Sequence, residues 1–570
     1  MLGGFAGASG GESADEGSGI ASGAEAARDG YGAAPSRVSV GEECGGAQGR
    51  EVTRDAYGNV PRREPVRDGY EGILRRHAVR DAAARTYARA LPIVPVRARG
   101  LTVEGADGRR YLDCVSGGGA LVLGHNHPVV LEAIRGVLDS GAPLHANDLA
   151  TPVRDAFVTE LFRTLPPGLA DHARVRFCGP AGTDAVEAAL HLVRAATGRT
   201  EILAFVGGRQ GVTTVARPAS GEAFDSRAGC LPAPQGHCSS PDTYGERSDE
   251  LGLRWAEFPL DAPKSGVPKP AGVLLEPVLG DGVIPAPDDW MRRIRHTTAA
   301  HSTPLIVDET ETGVGRTGAF WAVQHSGVTP DVMVLSKAIG GSLPLSVIVH
   351  RDEFDIHQPD LHAGEFRGNQ LAMAAGTATL TYVRENDLAG RAAEIGTRMR
   401  SQLRRLVKEF AWVGDVRGRG LMIEVEFVGG EGAGTAVGGG GTGADGASVD
   451  QGAVTERQGG FPAGAVESQR TISSVSTRTA ELAATVQQAC LRRGLIVELT
   501  GHHANVVRLL PPLTISDEQA AAVLDRLYDA VEAVAGGQAE GSRSGIGGIG
   551  DIGGGSGRIG RTHRRSEWAG

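Results

Sequence analysis

Between residues 170 and 340 the chain alternates short, mostly apolar runs with helical patterns, and this alternation limits its fold more than any other feature. "ARVRFCG" (173–179), "EILAFVG" (201–207), "AGVLLEPV" (271–278), "TPLIVDE" (303–309) and "DVMVLS" (331–336) read as strands. Among them, "TDAVEAALHLVRAATG" (183–198) sets Val186, Ala189, Leu190 and Val193 on one helical face, and "DDWMRRIRHTTAAHS" (288–302) is a second helical pattern. A third, "TPVRDAFVTELFRTL" (151–165), precedes the first strand. Strands that are apolar throughout, and that helices separate, predict a parallel sheet covered on both faces. A further region, roughly 380–427 and 473–535, mixes both patterns and predicts a smaller α+β unit.

Parallel sheets of this kind bind ligands beyond the carboxyl ends of their strands. That rule gathers Cys178–Thr183, Phe205–Gly211, Glu276, Asp308 and Lys337 on one rim. The chain has four lysines: Lys264 and Lys269 sit in a Pro-rich stretch, Lys408 sits on a surface-helix pattern, and only Lys337 ends an apolar run. An amine in that position either snorkels to water or is held neutral as a nucleophile. Asp308 ends the buried run "PLIVD", so its carboxylate needs a cationic partner. Gly182 and Thr183 open a helix whose free N–H groups and dipole favour a phosphate. These are the parts that pyridoxal phosphate requires: an amine to form an imine, a carboxylate to keep the pyridine nitrogen protonated, and a seat for the phosphate.

Composition sets the limits of the folded body. Of 570 residues 85 are Gly, concentrated in residues 1 to about 60, 428–472 and 535–570, where large apolar side chains are few. Such stretches bury too little surface to offset the entropy of ordering, and the expectation there is disorder. The net charge of −10 gives no footprint for nucleic acid. The six cysteines show no CxxC and no zinc-like Cys/His spacing, so they read as reduced thiols of a cytoplasmic protein. "MLGGFAGASGGESADEG" lacks the basic and apolar parts of a signal peptide, and no run of 18 apolar residues exists to span a membrane.

Five stretches carry a resemblance to a known family: "FCGPAGTDAVEAALHLVRAATGR", "AGVLLEP…GVIPAP", "PLIVDETETGVGRTGAFWAVQHSGVTPDVMVLSKAIGGSLPL", "FRGNQLAMAAG" and "VVRLLPPLTIS". Together they resemble the class-III pyridoxal-phosphate aminotransferases, most of all the diaminobutyrate–2-oxoglutarate branch, from about residue 85 to 535 without the Gly-rich insert. The resemblance implies an α/β, fold-type-I subunit with a large parallel-sheet domain and a smaller α+β domain. It also implies pyridoxal 5'-phosphate and a homodimer with shared active sites. The implied division is a disordered tail over 1–70, the N-terminal part of the small domain over 85–140 and the large domain over 141–380. The rest of the small domain would take 381–427 and 473–535, with an insert at 428–472 and a second tail over 536–570.

The resemblance implies roles as well. Lys337 would be the Schiff-base lysine, Asp308 the partner of the pyridine nitrogen, Ala181, Gly182 and Thr183 the phosphate loop, and Glu276 the active-site glutamate. Asp281 and Arg508 fall where ω-aminotransferases carry a carboxylate–arginine switch, the arginine taking the α-carboxylate of glutamate or 2-oxoglutarate. The sequence departs from the branch around the cofactor. Arg209 and Gln210 replace a Tyr-His pair whose aromatic ring stacks on the pyridine, Glu311 replaces a glutamine that touches the ring hydroxyl, and Glu365 replaces a threonine that reaches the partner's phosphate. The implied reaction converts L-glutamate and L-aspartate 4-semialdehyde to 2-oxoglutarate and L-2,4-diaminobutyrate, a product that feeds ectoine, siderophores and peptide antibiotics. Two readings stay open beside it. One is an acetylornithine, ornithine or 4-aminobutyrate type, against which Val212 argues because those relatives carry an arginine there. The other is a catalytically impaired homologue that keeps the fold.

Overall fold

Each of the apolar runs forms a strand. A computed structural model describes residues 69–80, 91–147, 149–205, 228–231, 260, 268–280, 282–356, 366–429, 463–501 and 504–544. All of them belong to one unit that begins at Val66. Its main sheet is built from β1 (Ala173–Phe177), β2 (Ile202–Phe205), β3 (Ala228–Leu231), β4 (Gly272–Leu275), β5 (Leu305–Asp308), β6 (Val332–Leu335) and β7 (Val347–Arg351). Their spatial order is β1-β7-β6-β5-β4-β2-β3. Strands β3, β2, β4, β5 and β6 pair in parallel. The expected all-parallel sheet needs one correction: β7 runs antiparallel to both β6 and β1. The reason is the connection 336–346, which is too short for the crossover helix that a parallel return demands.

Burial explains why the central strands β2, β4, β5 and β6 read as unbroken apolar runs. Within β5, Leu305 and Val307 face one core cluster and Ile306 faces another, and all three are sealed from water. On the first face pack Phe157 and Leu161 of α1 (Pro152–Thr164). The opposite face takes Ala185, Val186, Ala189, Leu190 and Val193 of α2 (Gly182–Thr197). Helix α3 (Asp288–Ala300) adds Trp290 and Ile294 to the first face. The strands' two-residue alternation therefore separates two apolar layers instead of a wet face from a dry one.

Beyond α4 (Gln370–Glu385) and α5 (Leu388–Glu409) lies a second sheet of β8 (Val413–Arg419), β9 (Met422–Phe427), β10 (Glu498–Thr500) and β11 (Val506–Leu509). It is antiparallel throughout, in the order β8-β9-β11-β10. Helix α6 (Ala463–Arg492) begins ahead of the 473 boundary expected from composition, since no Gly or Pro occurs from Ala465 to Leu491. Helix α7 (Asp517–Ser544) likewise runs past 535. A third sheet joins Pro95–Arg99, Thr102–Gly105 and Arg110–Asp113 to Leu495–Ile496, the last pairing in parallel with Leu112 and Asp113.

Candidate active site

The site grows from the turn that follows β6. Ser336 is extended, and Lys337 then takes a left-handed backbone at φ 49°, a conformation that costs a side-chain-bearing residue roughly 1–3 kcal/mol. Helix α4 holds the turn in place. A Cβ at Gly376 would lie 2.1 Å from the Ile339 carbonyl oxygen, and one at Gly341 would lie 2.3 Å from that of Ala375. Two glycines thus let the turn and the helix touch backbone to backbone, which aims Lys337 across the ends of the strands.

Lys337 Nζ donates to the Gly118 carbonyl oxygen at 2.9 Å and to the Glu311 carboxylate. The other Glu311 oxygen accepts from Arg508 Nη1 at 2.9 Å. Arg508 is 1% exposed and fully engaged. Its Nη1 also reaches the Gly280 carbonyl at 3.1 Å, and its Nη2 and Nε reach Glu498 at 2.7 and 3.3 Å. In the second sheet Arg508 stands opposite Glu424 of β9 and Glu498 of β10. One chain of charges, Lys337–Glu311–Arg508–Glu498, therefore runs from the main sheet into the second.

Electrostatics follows this geometry. Burial by itself would raise the Glu311 carboxyl, but Arg508 and Lys337 outweigh burial and hold it down at about 2. Burial likewise works against the Arg508 cation, and the carboxylates of Glu311 and Glu498 reverse it and push its pKa up. Asp308 differs. It is 5% exposed, accepts from the Thr310 N–H at 2.8 Å and makes no ion pair among the described residues. Burial drives its carboxyl well above the usual range. The cation expected beside it is not Lys337, whose ammonium turns to Glu311 instead.

Glu276, 9% exposed, accepts from the Gly280 N–H at 2.6 Å, and the same glycine's carbonyl binds Arg508. Ala181 caps α2, and its own N–H donates to Asp184 at 2.9 Å. The N–H groups of Gly182 and Thr183 have no partner among the described residues. A Cβ at Gly182 would sit 3.1 Å from Thr310 Cγ2 and 3.5 Å from Ser336 Cβ, so the helix start is packed against the ends of β5 and β6. Asp281, Arg209, Gln210, Val212 and Glu365 lie outside the described residues. Glu498 and the buried Arg316, which binds the Leu421 carbonyl at 3.2 Å, were not singled out in the sequence. Glu498 shows only as a charge within an apolar stretch, which names no partner, and Arg316 stands in a Gly-rich turn that gives no sign of burial.

These residues fit pyridoxal phosphate. A buried carboxyl without a cation suits a protonated ring nitrogen, two open N–H groups at a helix start suit a phosphate, and an amine follows the strand paired with the one that ends at Asp308. The arrangement is that of a pyridoxal-phosphate transferase, and residues 82–531 match the model of the aminotransferase class-III family, to which the chain belongs. Among its relatives are the diaminobutyrate–2-oxoglutarate aminotransferases of Rhizobium meliloti and Haemophilus influenzae. The first is 42% identical over 79% of this chain and 90% of the relative, the second 38% identical over 78% and 92%. Two solved structures are similar in fold. An (S)-enantioselective ω-transaminase from Thermomicrobium roseum has a TM-score of 0.66 at 25% identity, covering 82% of this chain and 98% of that one. An amine transaminase from an uncultivated Pseudomonas species, solved with pyridoxal phosphate bound, has a TM-score of 0.61 at 26% identity, covering 78% and 95%. The chain is an enzyme of this class, and its cofactor is pyridoxal 5'-phosphate.

Proposed function

We propose that the enzyme moves the amino group of L-glutamate onto L-aspartate 4-semialdehyde, giving 2-oxoglutarate and L-2,4-diaminobutyrate, in a reversible reaction. Identity of 42% over 458 residues to a relative of that name is the observation that carries the reading. When bound, pyridoxal phosphate supplies the electron sink that lets a C–H bond beside nitrogen ionise. The chain's own residues do the rest. Lys337 attaches the cofactor and, once released, moves a proton at Nζ, a role favoured by its aim and its strained backbone. Asp308 holds a proton on the ring nitrogen. Ala181, Gly182 and Thr183 take the phosphate, and Glu276 braces the loop that carries Gly280. Arg508 takes the α-carboxylate of glutamate or 2-oxoglutarate, displacing a carboxylate that now occupies it.

We place Asp281, Arg209, Glu311 and Glu365 around the same cofactor and substrate. The large domain is taken as 141–380 and the small one as 85–140 with 381–427 and 473–535. A homodimer with shared sites, and a cytoplasmic enzyme with ectoine among its end uses, complete the reading. No described helix is long and apolar enough to cross a membrane. The test is direct. Purified enzyme loaded with cofactor, given glutamate and aspartate semialdehyde, is expected to release diaminobutyrate, read by chromatography of the derivatised amine. Turnover with ornithine or 4-aminobutyrate and none with the semialdehyde would overturn the substrate assignment.

A further inference from the structure

Among the described residues of the site, Glu311 is the one carboxylate that holds two cations at once. One oxygen takes the Lys337 ammonium and the other takes Arg508 Nη1 at 2.9 Å. Its side chain is 19% exposed, so the contact is poorly screened. The other groups facing Nζ contribute less: the Gly118 carbonyl is neutral, and Asp308 makes no bond to the amine. We infer that Glu311 acts as a built-in competitor for the cofactor, stabilising the cofactor-free protein by holding Lys337 and Arg508 together and giving up Lys337 only when the cofactor is attached. This rests on Lys337 being the attachment lysine.

The physical basis is a balance of two states. Attachment joins Nζ to the cofactor's aldehyde carbon and expels the aldehyde oxygen as water, and the proton of the ammonium passes to solvent. Lys337 cannot do this while it remains an ion-pair donor to Glu311. The contact that ties the free protein together is thus lost on loading, and whatever it contributes to the free state is subtracted from cofactor affinity. Loading also leaves Glu311 with Arg508 alone, and a partly buried carboxylate that has lost one of two partners is less stable than before. A glutamine of the same shape would lose little on loading because it carries no charge. The side chain that steadies the empty site therefore weakens the filled one, and a residue with a purely structural role has no such pair of opposed effects.

The experiment compares wild type with Glu311→Gln, both stripped of cofactor. Melting of the cofactor-free protein is followed by calorimetry, cofactor affinity by titration with pyridoxal phosphate, and the attachment point by borohydride reduction and peptide mapping. The expected result is opposite signs: Glu311→Gln melts lower by about 2–4 °C without cofactor yet binds it roughly tenfold more tightly. Glu311→Asp keeps the charge but draws it back from Nζ, and it serves as the second variant, with a smaller gain in affinity. Glu498→Gln removes the other carboxylate on Arg508 without touching Lys337 and is expected to leave cofactor affinity unchanged. Unchanged or weaker affinity in both Glu311 variants, with the label on Lys337, overturns the inference. Equal tightening in Glu498→Gln does so too, since the effect would then be one of general charge. A label elsewhere, or none, instead overturns the assignment of Lys337.

Discussion

Glu309 shows how a single side chain next to the site shapes the protein's response to pH. It is 2% exposed and accepts hydrogen bonds from Thr312 and from the Val323 N–H at 2.9 Å. Burial nevertheless pushes its carboxyl up to about 7, against the lowering from Thr312, Val323 and Ala322. In the unfolded chain a glutamate titrates at about 4.3. Between those values the folded state binds more protons than the unfolded one, so stability from this residue is full at low pH and is lost as pH rises through 7. Glu309→Gln is expected to remove that slope. Thermal melts from pH 4 to 8 should show the variant gaining on wild type by roughly 3–4 kcal/mol as pH rises, and parallel curves would refute the assignment. Single residues were unevenly legible in the sequence. Lys337 and Asp308 stood out because a charge ends an apolar run. The Glu311–Arg508–Glu498 contacts did not, since periodicity says which face a residue takes but not which strand from elsewhere lies opposite.

Elements were legible where local pattern sufficed. The Thr151 side chain accepts from the Arg154 N–H at 3.1 Å, capping α1 where the sequence places its start, and Gly198 closes α2 in the left-handed region at φ 68°. Strand β3 escaped notice because its four residues lie in a Gly- and Pro-rich neighbourhood with little apolar contrast. The contact between α4 and the Lys337 turn was hidden as well, because a glycine in a helix reads only as a weak position. Its geometry makes a firm prediction. Gly376→Ala adds a methyl 2.1 Å from the Ile339 carbonyl oxygen and 2.9 Å from the Phe157 ring, so helix and turn must separate. Overpacking of this kind typically costs about 1–3 kcal/mol, partly offset by alanine's better helix propensity, about 1 kcal/mol. The variant is expected to melt lower and to retain less cofactor after dialysis, as measured by absorbance. A variant with normal melting and cofactor content would show that the turn does not depend on α4.

At the scale of the whole molecule, composition sets off an insert at 428–472, whose residues 430–462 lie outside the described residues, and α6 begins ahead of its far boundary. The chain leaves β9 at Phe427 and enters α6 at Ala463. Residues 430–462 are mostly Gly, Ala, Ser, Thr and acidic, with few large apolar side chains to contribute to a core. Deleting 430–462 and bridging the ends with a short linker is expected to leave melting temperature and cofactor content nearly unchanged, while a deletion reaching 472 removes part of α6 and should lower both. Loss of soluble protein with the shorter deletion would refute this. The joining of distant parts was not legible at all, because no local pattern states that Leu495–Ile496 pairs with Leu112–Asp113. That pairing has a consequence for how the enzyme is made. The ribosome releases the three strands of the N-terminal sheet first, but their fourth partner follows Asp113 by about 380 residues, and Glu498 and Arg508 come after it. The nascent polypeptide must therefore carry an incomplete sheet edge while those residues are made. The active site cannot close until they emerge, and over that interval the growing chain is exposed to chaperones and to misassembly.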